Sequence, residues 1–207
     1  MRHRFKLLLI VFHGWQTRHM DISAEFADRI SNIKASVTNP RSFDISNLAN
    51  LANLITNAFR NGGKIAFVGN GGSAAESIHL AAEFTGKCVN DHAPLYAISL
   101  NDSQSSLTAI ANDYGVEHMF SRVAQAYLDK NDVLIALSTS GKSKNILNAI
   151  KVAKLKGAKV FLWMGDFDLA LQDVEIWKAP SKSTPRIQEI HLMWGHMLAE
   201  VVELNFQ

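Results

Sequence analysis

A single cysteine, Cys88, among 207 residues cannot close an internal disulfide, which removes the stapled secreted scaffolds from consideration. Neither sign of charge predominates: 21 Lys and Arg stand against 19 Asp and Glu, a formal net charge of +2. No global basic field therefore points to nucleic acid or to an anionic membrane surface, and a small molecule or a protein is the expected partner. Membrane-length apolar runs are missing as well. The most apolar stretch, Leu7-Leu8-Leu9-Ile10-Val11-Phe12, is much too short to cross a bilayer. With Arg2, Arg4 and Lys6 ahead of it, it imitates a secretory signal, yet His13-Gly14-Trp15-Gln16 follows and no small-x-small cleavage site does. The expected location is the cytoplasm. Because Met20-Asp21-Ile22-Ser23 opens a stretch of ordinary globular character, residues 1–19 are expected to be a loose tail or the product of an upstream start. Internal repeats and low-complexity linkers are lacking, so residues 20–207 read as one domain, with N-terminal helices, whose folding can bury about 70% of the chain's surface.

What is present is an alternation of short β-rich runs with amphipathic helical segments, the signature of a parallel α/β sheet. The predicted strands are 64–68, 95–100, 133–137, 159–164 and 174–178, several of them continuous apolar runs suited to burial on both faces. Asp44 or Ser46 is placed to cap a helix with Leu48, Leu51, Leu54 and Ile55 on one stripe, stopped by Gly62-Gly63. A last helix is expected to start near Pro185, carrying Ile190, Met193, Trp194, Met197 and Leu198 at helical spacing. The polar segment between Glu83 and Leu95, with Lys87, Cys88, Asp91 and His92, reads as a mobile loop over the site, and Cys88 as a small hydrophobe or an incidental thiol.

In such a sheet, ligands meet the loops at the carboxyl ends of strands, where helix N-termini are exposed. Two loops stand out. The first is Gly69-Asn70-Gly71-Gly72-Ser73, whose glycines permit close backbone approach ahead of a helix start that attracts anions. The second is Ser138-Thr139-Ser140-Gly141-Lys142-Ser143, in which four hydroxyls, a glycine and a helix N-terminus suit a phosphate dianion. The plain alternative for both is ordinary helix capping, which needs only one hydroxyl. Neither loop matches GxxxxGK[ST] or GxGxxG, which favours a phosphosugar over a nucleotide. On the helix after the first loop, His79 and Glu83 lie one turn apart on one face. That pair suits a divalent cation and equally an exposed polar pair.

The strings GNGGSAAES, LTAIANDYG, STSGKS and RIQEIH, in this order and on strand–loop–helix context, resemble the sugar isomerase (SIS) domain family, in particular its phosphoheptose isomerases, from about residue 45 onward. The resemblance implies a three-layer α/β sandwich with a five-stranded parallel sheet, flavodoxin-like or Rossmann-like, assembled as a homotetramer with active sites at subunit interfaces. It implies conversion of sedoheptulose 7-phosphate to D-glycero-D-manno-heptose 7-phosphate through an enediol, serving lipopolysaccharide or capsule heptose synthesis. One zinc ion per subunit is implied, on His79, Glu83, Gln188 and His196, with Glu83 and His196 also the catalytic pair. Phosphate would be held by Ser138, Thr139, Ser140 and Ser143, and the sugar by Asn70, Gly71, Gly72, Ser73, Gln188 and Asp102. Asp102 sits in a Ser-rich loop that also fits a simple turn, and Thr184-Pro185 stands where some members carry an Asp. His191 is expected in helix packing or at an interface, and Glu189 as a surface or salt-bridge residue. The alternative is a non-enzymatic relative that binds the replication initiator DnaA. Such regulators lack the carboxylate and the imidazole matching Glu83 and His196. A sugar-phosphate-sensing transcription regulator ranks last, since residues 1–44 show no helix-turn-helix or basic cluster.

Overall fold

A computed structural model of the protein describes residues 21–207, so the expectation for residues 1–19 lies outside the described residues. Asp21 accepts from the N–H groups of Ser23 and Ala24 and starts α1 (Ile22–Thr38). Asp44, rather than Ser46, caps α2 (Ile45–Arg60) by accepting from Asn47 N–H, and Asn61 with Gly62 in the left-handed region ends it. There follow β1 (Ile65–Gly69), α3 (Gly72–Thr85), β2 (Ala97–Ser99), α4 (Gln104–Tyr114), α5 (Met119–Tyr127) and β3 (Val133–Leu137). The chain closes with α6 (Lys144–Leu155), β4 (Lys159–Gly165), β5 (Glu175–Ala179) and α7 (Thr184–Glu203), with Pro185 in the first turn of α7 as its fixed φ favours.

The five strands form one parallel sheet in the order β2-β1-β3-β4-β5. Strand alternation assigns its two faces to two cores. Ile65, Phe67, Val133, Ile135, Phe161 and Trp163 pack under α2, α3 and α7, whereas Ala66, Val68, Leu134, Ala136 and Leu162 pack under α4, α5 and α6. This is the expected three-layer sandwich. β1 and β3 are buried at every position, which explains their unbroken apolar sequences. β2 is shorter than its apolar run predicts. As the edge strand it pairs on one side only, and Leu95 and Leu100 are buried beyond its ends.

The strand order reverses direction between β1 and β3, so their following loops diverge to opposite faces and leave a crevice. Both loops singled out in the sequence flank it. At the opposite end of the same strands, Lys64 Nζ meets Asp132 Oδ2 at 2.7 Å in a buried pair whose carboxylate also accepts from Lys64 and Asp129 N–H. The strand pair beneath the crevice is thereby fastened at its far end.

Candidate active site

The turn from β1 into α3 exists because of its glycines. A Cβ on Gly69 would lie 2.2 Å from the Ser73 carbonyl, and Gly71 takes φ +55°. The backbone of Gly69 is held from the β2 side by Asn101, whose Oδ1 accepts Gly69 N–H and whose Nδ2 donates to Gly69 O, at 3.1 and 3.0 Å. No side chain caps α3; the N–H groups of Ser73 and Ala74 in its first turn donate instead to the Asn70 and Gly71 carbonyls, at 3.0 and 3.1 Å. Ser73 is buried on the first turn, and Gln188 of α7 reaches it, Nε2 to Oγ 3.4 Å. That approach needs Gly72 bare: a Cβ there would come within 2.4 Å of the Gln188 amide.

In the second loop, Gly141 at φ +68° closes a turn with its N–H on the Ser138 carbonyl at 2.9 Å. Ser140 is exposed and its Oγ accepts Lys142 N–H at 3.2 Å. Ser143 occupies the N-cap of α6, yet its hydroxyl makes no capping hydrogen bond; it lies 3.5 Å from Ser138 Oγ. Capping by Ser143 is therefore not what this hydroxyl-rich loop serves. The loop thus sets several hydroxyls beside the α6 N-terminus, a combination that suits an anion.

Farther along α3 the i,i+4 spacing places His79 and Glu83 together, Nε2 to Oε1 3.2 Å. Parallel packing of α3 on α7 adds His196, with His79 Nε2 and His196 Nε2 2.8 Å apart. One nitrogen or oxygen from each of the three lies within 4.8 Å of the others. Two imidazole nitrogens aimed at each other hold either one shared proton or a cation taking both lone pairs, and an N,N,O donor set suits a borderline divalent ion. The close approach of α7 that builds this cluster depends on Gly195, where a Cβ would meet Leu80 at 2.2 Å.

The other expected site residues fall into place unevenly. Gln188 sits with Ser73 at the opening of α3, about 9 Å along the helix from His79. Asp102 turns back on its own loop, its Oδ2 accepting Ser99 N–H at 3.2 Å, and it lines a separate cavity of about 590 Å³ beside the β2 edge. His191 is wholly buried beside Trp163 and Trp194, neither ring nitrogen having a partner, and burial drives its pKa down to about 3 despite the nearby Met164 backbone. Glu189 pairs with Arg186 one turn away.

The segment expected to be mobile is tied down instead. Glu203, at the end of α7, accepts the N–H groups of Cys88, Val89 and Asn90 and the Asn90 side-chain amide. Burial alone would raise its pKa; the Asn90 donors, then Val89 and Cys88, outweigh that and hold it below the ordinary carboxylate value. Burial first, and then the Glu83 carboxylate, push the Cys88 thiol up to about 12, so it faces Glu83 uncharged.

Three polar residues escape a reading of the sequence. Asn101 clamps Gly69; Asn145, on α6, pairs with Asn70; and Glu76, on the same α3 stripe as His79 and Glu83, is buried with both oxygens unpartnered. Burial raises Glu76 to about 7, against a smaller lowering by the Ser73 hydroxyl. Only Glu76 carried a signal, its spacing of three and seven residues from the other two.

A family model described as the SIS domain matches residues 25–161. The phosphoheptose isomerase of Rhodospirillum rubrum is 44% identical over 158 residues, covering 75% of this chain and 84% of that protein. The phosphoheptose isomerase of Helicobacter pylori strain Shi470 is 45% identical over 156 residues, 74% of this chain and 81% of its own. Among solved structures, phosphoheptose isomerase from Neisseria gonorrhoeae superposes with a TM-score of 0.80 at 31% identity, covering 88% of this chain and 98% of that one.

Proposed function

The chain belongs to the SIS domain family and stands among its phosphoheptose isomerases, and from that premise we propose that it interconverts sedoheptulose 7-phosphate and D-glycero-D-manno-heptose 7-phosphate in the crevice between β1 and β3. The observation that carries the reading is the convergence of His79, Glu83 and His196 on one point, from two helices, with a hydroxyl-rich helix N-terminus across the same crevice.

Phosphate binds at the second loop through Ser138, Thr139, Ser140 and Ser143 and the first N–H groups of α6. Asn70, Gly71, Gly72, Ser73 and Gln188 hold the sugar hydroxyls, and the chain's reacting end reaches the His79–Glu83–His196 cluster. Asp102, which caps its own turn, remains a substrate contact implied by the family likeness alone. Aldose–ketose interconversion moves one proton between C1 and C2 and one between their oxygens, with no external oxidant or reductant. Glu83 takes the proton from C1 of the ketose and returns it to C2 of the enediol. With Oε1 turned to His79, its Oε2 is the oxygen left for that transfer. His196 gives a proton to the carbonyl oxygen and recovers one from the neighbouring hydroxyl.

Zinc, one ion per subunit, fits the N,N,O donor set of His79, His196 and Glu83, whereas Gln188, the fourth ligand that the family likeness implies, points to Ser73 instead of this cluster; a bound ion would polarise the carbonyl and stabilise enediolate charge by several kcal/mol. The family likeness also supports a cytoplasmic homotetramer that feeds lipopolysaccharide or capsule heptose synthesis. Among the described residues no helix is long and apolar enough to cross a membrane. Ile22, Phe26 and Ile30 form an exposed apolar stripe along α1, and Val201 and Leu204 at the end of α7 are exposed too, surfaces that subunit association would cover. The DnaA-binding alternative draws no support from relatives that are isomerases.

The test is incubation of the purified protein with sedoheptulose 7-phosphate and chromatographic separation of aldose from ketose. Formation of the heptose 7-phosphate aldose is expected; a folded protein that leaves the ketose unchanged, with and without added zinc, overturns the reading.

A further inference from the structure

Asn70 and Asn145 stand 75 residues apart in sequence and face each other across the crevice, each amide donating to the other. Asn145 Nδ2 to Asn70 Oδ1 is 2.8 Å and Asn70 Nδ2 to Asn145 Oδ1 is 2.9 Å. Asn145 is buried on the first turn of α6, the helix whose N-terminus takes the phosphate, whereas Asn70 is exposed on the turn before α3. The pair therefore bridges the two ligand-facing loops.

We propose that Asn145 is a positioning residue for this reaction: it clasps the sugar-binding turn to the phosphate-binding helix and fixes the donor that Asn70 presents to the sugar. The proposal rests on the phosphosugar reading above. A reciprocal amide pair is self-consistent with both amides turned over together, so the pair alone does not set its own direction. The Ile146 N–H breaks that symmetry, because it donates to Asn145 Oδ1 at 3.0 Å and so marks that atom as the acceptor. The orientation passes to Asn70, whose Nδ2 must face Asn145 Oδ1 and whose remaining N–H is left free at the exposed side of the turn. Asn101, in the loop after β2, pins the preceding Gly69 backbone, so the turn is held on one side from that loop and on the other from α6. Sliding the α3 turn away from α6 would break two hydrogen bonds at once. The separation between the sugar end and the phosphate end of the substrate is thus set before binding, which is where orientation contributes to rate.

The test uses the full chain carrying Asn145→Ala, Asn145→Ser, Asn70→Ala and the Asn70→Ala/Asn145→Ser pair. Serine still accepts the Ile146 N–H but is too short to reach Asn70, so Asn145→Ser keeps the question open to answer if Asn145→Ala fails to fold. Each Asn145 variant is expected to raise KM for sedoheptulose 7-phosphate about tenfold while inhibition by inorganic phosphate, which needs α6 alone, stays within about twofold. In the Asn70→Ala background Asn145→Ser should add nothing further. An unchanged KM, additive effects, or phosphate affinity falling in step with KM overturns the clasp, the last because it would mean that the α6 terminus itself had collapsed. If wild-type protein fails to turn over the ketose, the phosphosugar reading fails and the clasp is judged by the Asn70 side-chain NH2 resonances in 15N spectra. Asn145→Ser should shift them and speed their hydrogen exchange; unmoved resonances overturn the proposal.

Discussion

His191 should make the fold acid-sensitive in a way that one substitution removes. Its ring is wholly buried between α7 and β4, 6.0 Å from the Trp163 ring and 5.6 Å from the Trp194 ring between centroids, with both nitrogens unpartnered. Burial of a charged ring there outweighs what the nearby Met164 backbone offers it, so its pKa falls from 6.5 to about 3. In the unfolded chain it titrates normally. Between those two values the unfolded state binds the additional proton, so stability rises with pH through that window and falls as the solution is acidified below about pH 6.5. At pH 4.5 the cost is about two pH steps at ~1.4 kcal/mol each, or roughly 3 kcal/mol relative to pH 7.5. His191→Leu, apolar and of similar volume, should unfold in urea with a stability difference between pH 7.5 and 4.5 that is smaller than wild type by roughly that 3 kcal/mol, at matched protein concentration. Carboxylates contribute equally to both proteins and cancel. Equal acid losses in the two, within about 0.5 kcal/mol, would refute the reasoning, because His191 would then have found water or a proton acceptor on folding.

Other consequences are open to direct measurement. Ser140→Ala removes one donor to a dianion and should raise KM about tenfold or more with kcat changed little; an unchanged KM would place phosphate elsewhere. Glu203→Gln replaces the charged acceptor of four N–H donors and should destabilise the protein by about 2–4 kcal/mol in denaturant. Because Glu203 is held below its ordinary value, the stability it contributes is present above about pH 4.5 and is lost as pH falls through its folded pKa, a dependence that Glu203→Gln should abolish. His196→Ala should lose bound zinc by elemental analysis while far-ultraviolet dichroism stays native; retained zinc would remove His196 from the ligand set.

Much of this architecture is written locally in the chain. Strands β1 and β3 throughout, and β4 after its exposed first residue Lys159, are buried on both faces, so their sequences are unbroken apolar runs and their positions are legible to within a residue. The edge strand β2 is less so, because Leu95 and Leu100 are as apolar as a strand demands yet serve the core outside it. His79 and Glu83 are legible as a pair since a helix turn brings i and i+4 together. His196 is not, for its place depends on α7 lying against α3, a long-range fact that spacing does not contain and that only the family likeness supplied. Asn145 and Glu203 are invisible for the same reason: their partners are 75 and 113 or more residues away, and an Asn or a Glu on a helix looks like surface. The Glu83–Leu95 segment misled because polar composition signals a loop without saying whether a distant carboxylate fastens it.

The central claim is that Glu83 carries a proton between C1 and C2 of a heptose phosphate. Proton NMR of sedoheptulose 7-phosphate with wild-type protein and with Glu83→Gln, in deuterated buffer containing zinc, tests it most directly. A heptose 7-phosphate aldose is expected from the wild type, with deuterium at C2 wherever the Glu83 carboxyl exchanges its proton with solvent before returning it and protium where it does not, and no aldose from a folded Glu83→Gln protein. Conversion by Glu83→Gln at the wild-type rate, or no aldose from either folded protein, would contradict it.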